Sequence, residues 1–97
     1  MGIKVSETRI KQQVKEYLAI RHIFNYHLIQ GVASYKGLPD RIMHYRGKVI
    51  YLEVKGPTGR MSEHQKVFQE QCQADGIPYW VVYSLDDLIK KLKEVKE

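Results

Sequence analysis

Three residues of this 97-residue chain have the types and spacing to do chemistry together: Asp40, directly after Pro39, and the pair Glu53 and Lys55. Glu53 and Lys55 follow a run of β-branched and aromatic residues, Lys48-Val49-Ile50-Tyr51-Leu52, that reads as a strand. Alternate residues of a strand share a face, so Val49, Tyr51, Glu53 and Lys55 point one way and Ile50, Leu52 and Val54 the other. Between the two acids lies Arg46-Gly47, a short turn of the kind that joins antiparallel strands. A tight hairpin about it would bring Asp40 and Glu53 to the same end of paired strands, close enough to share a hard cation. Mg²⁺ prefers oxygen ligands and keeps several waters, so two carboxylates, a backbone carbonyl and a substrate phosphate suffice. A charged Lys55 is no ligand, but beside such a cation it can orient an attacking water and offset charge developing on the phosphate. Each residue also has a plainer role: Asp40 as turn chemistry, Glu53 and Lys55 as an exposed charged face. Glu53 is flanked by Leu52 and Val54, however, and a carboxylate without partners is costly there if buried.

The elements that must position these residues can be read around them. Ser6 caps a first helix, roughly Ser6 to Ile23, whose Ile10, Val14, Tyr17 and Leu18 recur on one face. Phe24 to Gly31 reads as a first strand, and Gly31, Gly37 and Pro39 punctuate a loop that delivers Asp40 to the head of the next strand. After Lys55, Gly56-Pro57-Thr58-Gly59 breaks the chain, and Ser62-Glu63-His64-Gln65 is a capping-box pattern opening a helix to Ala74, with Gly76 at its C-terminal end. Pro78 to Tyr83 reads as a buried strand, and Ser84 caps a last helix with Leu85, Leu88, Ile89 and Leu92 on its apolar face. The order α, β, β, β, α, β, α predicts an α/β fold, a small mixed sheet flanked by helices, with the last two strands parallel across a helix.

Pro39-Asp40 followed by Glu53-Val54-Lys55 resembles the PD-(D/E)xK nuclease signature, and the predicted element order matches that superfamily's restriction-endonuclease-like core. Gly37-Leu38-Pro39-Asp40, Tyr51-Leu52-Glu53-Val54-Lys55-Gly56-Pro57 and Met61 before Ser62-Glu63-His64-Gln65 are similar to the VRR-NUC group within it, the virus-type replication-repair nuclease domains. The resemblance spans roughly Glu7 to Leu88. It implies a metal-dependent DNA endonuclease that leaves a 5′ phosphate. Asp40, Glu53 and the Val54 carbonyl would hold Mg²⁺ or Mn²⁺, and Lys55 would act on the water. Glu7 would be the acid contributed by the first helix, and Gln65 would support Lys55 or a phosphate. It further implies structure-selective cutting of Holliday junctions or other branched DNA, a homodimer, no small-molecule cofactor, and a bacterial or viral setting. Gln65 can equally satisfy backbone donors in the capping box, and Glu7 can serve the helix dipole. A non-catalytic module of the same fold, holding branched DNA or a replication partner, is the alternative.

Sixteen lysines and arginines against eleven acids give a net charge of +5, which favours a polyanionic partner. Lys36 and Arg41 flank the acids in sequence, Arg60 lies in the loop leading to a helix N-terminus, and His64 lies just beyond it. All four are candidate nucleic-acid contacts. So short a chain has little surface for a separate DNA-reading module, so shape and backbone should be read more than base sequence. His22, His27 and His44 have neither the spacing nor an acidic partner for catalysis, and Trp80 belongs in a core strand. A single cysteine, Cys72, rules out an internal disulfide framework, and no apolar run approaches the roughly 20 residues that span a bilayer. One domain over 1–97, without a secretory leader and in a reducing cytoplasmic interior, is the expectation. Gly2 with Ser6 fits the weakly specific myristoylation pattern.

Overall fold

A computed structural model describes residues 5–96, so Gly2 lies outside the described residues. Helix α1 (Glu7–Ile20) starts at Ser6, whose hydroxyl accepts the Arg9 N–H. It stops short of the expected Ile23 because His22 adopts a left-handed φ of 55°. The His22 and Ile23 N–H groups then fold back onto the Ala19 and Leu18 carbonyls, a Schellman closure with histidine in the usual glycine position. Strand β1 (Asn25–His27) is shorter than the expected Phe24 to Gly31. Its pairing ends where the Leu28 N–H donates to the Asp40 carbonyl, and the chain beyond leaves the sheet as a loop.

Strands β2 (Arg41–Tyr45) and β3 (Lys48–Val54) form the expected hairpin. Arg46 at φ 50° and Gly47 at φ 79° make a two-residue turn with both central residues left-handed, the geometry that matches strand twist. Helix α2 (Glu63–Ala74) carries the chain across to β4 (Tyr79–Val82), which lies parallel to β3, and α3 (Leu85–Glu94) follows. The sheet order is β1-β2-β3-β4, and the order of elements is the one predicted from sequence.

The layers follow from the alternation in β3. Ile50, Leu52 and Val54 pack with Met43 and Val82 against Ile10, Val14 and Leu18 of α1 and Leu88 and Leu92 of α3, all buried. Removing the eleven apolar side chains of this cluster from water is the main force holding the domain together. On the other face Phe68 of α2 sits edge-on to Tyr51 at 5.1 Å between centroids and beside Tyr79 at 6.0 Å. Trp80 is half-buried against the core, as its place in a core strand requires. Among the described residues no helix is long and apolar enough to cross a membrane.

Candidate metal and phosphate site

The β2–β3 register pairs Arg41 with Leu52, so one step further along the ladder Asp40 stands opposite Glu53. That juxtaposition is the one the hairpin requires. A cavity of about 580 Å³ opens there, walled by the first turns of α1 and α2 and by the loop between β1 and β2. Glu7, Lys11, Asp40, Glu53, Lys55 and Gln65 all reach it. Pro39 is buried, which fixes the entry of Asp40 into the strand.

The inner part of the site is buried. Glu53 is 2% exposed, the one buried charged residue among those described. Its Oε2 takes the Lys55 ammonium at 3.0 Å and the Gln65 side-chain amide at 2.7 Å. Its Oε1 is buried with no hydrogen-bond partner. Burial first, then the charge of Asp40, pushes the Glu53 carboxyl up from 4.5 to about 7 in spite of Lys55. Gln65 makes the capping contact that the sequence offered as one of its roles, and its other end meets Glu53 rather than the expected Lys55 or a phosphate. Its amide oxygen accepts the Ser62 N–H at 2.9 Å, completing the capping box, while its amide nitrogen holds Glu53.

The outer part is wetter. Lys11 bridges Glu7 at 3.2 Å and Asp40 at 3.3 Å, with its side chain 43% exposed. Asp40 Oδ2 accepts the Val54 N–H at 2.7 Å. In an extended residue the N–H and C=O lie on the same strand edge, so the Val54 carbonyl faces that side too. Glu7 also accepts the Gly56 N–H at 3.2 Å, which ties α1 to the loop after β3. Partial burial raises the Glu7 carboxyl, but Lys11 and the Gly56 N–H outweigh it and leave it below its ordinary value.

The loop wall depends on one glycine. Gly37 has φ 88°, and a Cβ there would collide with the His64 carbonyl in the first turn of α2. The loop is held from the other side by Gln30, whose amide donates to the Leu38 carbonyl at 2.8 Å. Lys36 and His64 line the cavity, exposed. Arg60 is exposed but does not line it, and Arg41, pointing to the opposite sheet face from Asp40, lies in an adjacent groove. Lys11 is the site residue that sequence reasoning missed. Its signal was the i, i+4 spacing from Glu7, but its reach to Asp40 depends on how α1 crosses the strand end.

The donors fit a hard cation in part. Two carboxylates converge, one with an oxygen that is buried and unpartnered, and a carbonyl faces the same side. Among the described residues no group of three or more His, Cys, Asp or Glu side chains is placed to hold a metal ion, so a carbonyl, waters or a phosphate would have to complete any coordination shell built on these two carboxylates. A solved structure described as a "VRR_NUC domain" is similar over 95% of this chain and 100% of its own, with a TM-score of 0.76 and 22% identity. The chain has the fold of a VRR-NUC domain. No family model and no curated protein matches the sequence. The cavity described above lies at the head of the β2–β3 hairpin of this fold.

Proposed function

We propose that the protein is a divalent-metal-dependent endodeoxyribonuclease. The observation that carries this reading is Glu53, a carboxylate buried beside Asp40 with one oxygen unpartnered, in a cavity large enough for a phosphodiester. An acid so placed has no folding rationale, since burial without full pairing costs stability. The nuclease-type fold and the net charge of +5 support it independently.

Asp40, Glu53 and the Val54 carbonyl would hold Mg²⁺ or Mn²⁺, which when bound supplies charge stabilisation at the phosphate and lowers the cost of generating hydroxide. Lys55, held at 3.0 Å from Glu53, donates to the attacking water and to the phosphate as negative charge grows on it. The water gives up one proton to solvent as its oxygen bonds to phosphorus and the bond to the 3′ oxygen breaks, and the 3′ oxygen takes a proton back from solvent, leaving a 3′ hydroxyl and a 5′ phosphate. Gln65 holds the Glu53 carboxylate in register, while Glu7 holds the Gly56 loop and Lys11. Lys36 and His64 supply phosphate contacts around the mouth, and Arg60 contacts the strand outside the cavity. Branched DNA is the proposed substrate class, cut by a homodimer in the cytoplasm.

The test is cleavage of labelled junction, flap, linear duplex and single-stranded DNA with Mg²⁺, Mn²⁺ or EDTA. Cutting that needs metal and is abolished in Asp40→Asn and Lys55→Ala supports the proposal. Wild-type protein that binds these DNAs and cuts none with either metal overturns it.

A further inference from the structure

A second cavity, of about 260 Å³, lies on the other side of Asp40, between α1 and the β1–β2 edge. Lys11 and Asp40 line both cavities, so the two abut across a shared wall. The second one is lined by two cations, Lys15 one turn beyond Lys11 on α1 and Arg41 at the head of β2, with the His27 imidazole at the end of β1 beside them. Period-2 alternation sends Arg41 to the α1 face of the sheet, whereas Asp40 beside it lines both pockets. Thr8 adds a hydroxyl, whereas the Gln12 amide is occupied by Glu16 at 2.9 Å.

Arg41 is built into place. Its Nε donates to the Asn25 side-chain oxygen at 2.7 Å, and Asn25 in turn donates to the Ile23 carbonyl at 2.8 Å. This leaves the two terminal nitrogens of the guanidinium for a ligand. Among the described residues neither Arg41 nor Lys15 makes an ion pair. The one carboxylate in the wall, Asp40, is already covered by Lys11 and the Val54 N–H. A half-buried arginine fixed at Nε, with unpaired lysine and histidine beside it, has the chemistry of a phosphate site.

We propose that this groove holds a phosphate adjacent to the scissile one, so that a nucleic-acid strand passes over the head of β2 from one cavity to the other. The choice of nucleic acid as the source of the phosphate rests on the nuclease reading; the groove's anion-binding character does not. Binding of a labelled duplex oligonucleotide is measured by anisotropy in EDTA, across a salt series, for the wild type, Lys15→Glu, Arg41→Ala and the double variant. Lys93→Glu, exposed on α3 and lining neither cavity, is the control. The double variant should bind roughly tenfold more weakly, with a salt slope shallower by about 0.9, the change for one phosphate no longer neutralised. Lys93→Glu should leave the slope unchanged.

Folded groove variants, judged by thermal melting, that keep the wild-type affinity and slope overturn the proposal, as does an equal loss in Lys93→Glu. A parallel cleavage assay separates the two claims. A wild type that cuts nothing while the groove variants lose slope refutes the nuclease and retains the groove. Intact metal-dependent cutting with unchanged slopes refutes the groove and retains the nuclease.

Discussion

The two networks at the head of the hairpin are each built on a Glu–Lys pair and differ in water. Glu7, Lys11 and Asp40 form the outer one, with the Glu7 and Lys11 side chains 40% and 43% exposed. Glu53, Lys55 and Gln65 form the inner one, with the Glu53 and Lys55 side chains 3% and 12% exposed. In high dielectric a pair such as Glu7–Lys11 is screened and contributes little, whereas a buried pair is held by partners whose removal strands a charge. The outer network can therefore exchange partners as a substrate arrives, while the inner one must stay formed. The fold places its rigid chemistry on β3 and its adjustable charge on α1.

Lys55→Ala gives the largest expected effect. It strands Glu53, so at pH 9, where that carboxyl must ionise, unfolding should be easier by about 3 kcal/mol in urea melts. Cleavage should fall by about 10²- to 10³-fold or more. Gln65→Ala comes next, because one substitution opens the capping box and removes the amide from Glu53. A loss of about 2 kcal/mol is expected in the same assay, and Gln65→Glu should not restore it, since a second carboxylate would face the first.

The inner network should also show itself in pH. Glu53 is raised from 4.5 to about 7, so the folded state holds a proton that the unfolded chain releases. The resulting stability is fully present below about 4.5 and is lost as pH rises through about 7. In metal-free buffer the wild type should therefore lose melting temperature between pH 5 and 8 relative to Glu53→Gln, which has no such proton to lose; parallel curves would contradict a raised Glu53. Lys11→Ala should have the smallest effect, below about 1 kcal/mol and fading as salt is added, because the Lys11 side chain and its Glu7 partner are exposed and the less exposed Asp40 keeps the Val54 N–H. A loss as large as that of Lys55→Ala would erase the distinction between the networks.

Much of the inner network is legible in the sequence, because it follows from short-range rules. Alternation places Glu53 and Lys55 on one face, Arg46-Gly47 closes the hairpin, and Ser62 with Gln65 announces a helix start. In sequence the capping box poses a choice between structure and site, but a glutamine side chain has an oxygen and a nitrogen and here uses one for each. The outer network is less legible because it depends on a long-range crossing: Lys11 meets Asp40 only through the angle at which α1 lies across the strand end. Arg41 falls in with the main site by its place next to Asp40. The same period of two that serves for Glu53 and Lys55 sends it to the other face. The overlong first strand fails for a related reason, since Leu28 to Gly31 carries strand-like residues but has no partner strand left to pair with once Asp40 begins β2.

The central claim is that Asp40 and Glu53 together hold a divalent cation, and a Mn²⁺ titration followed by calorimetry at pH 8 tests it most directly. Binding by the wild type is expected, weakened at least tenfold in both Asp40→Asn and Glu53→Gln and unchanged in Lys15→Glu. Wild-type protein that takes up no Mn²⁺ at millimolar concentration, or carboxylate variants that bind it as well as the wild type, would contradict it.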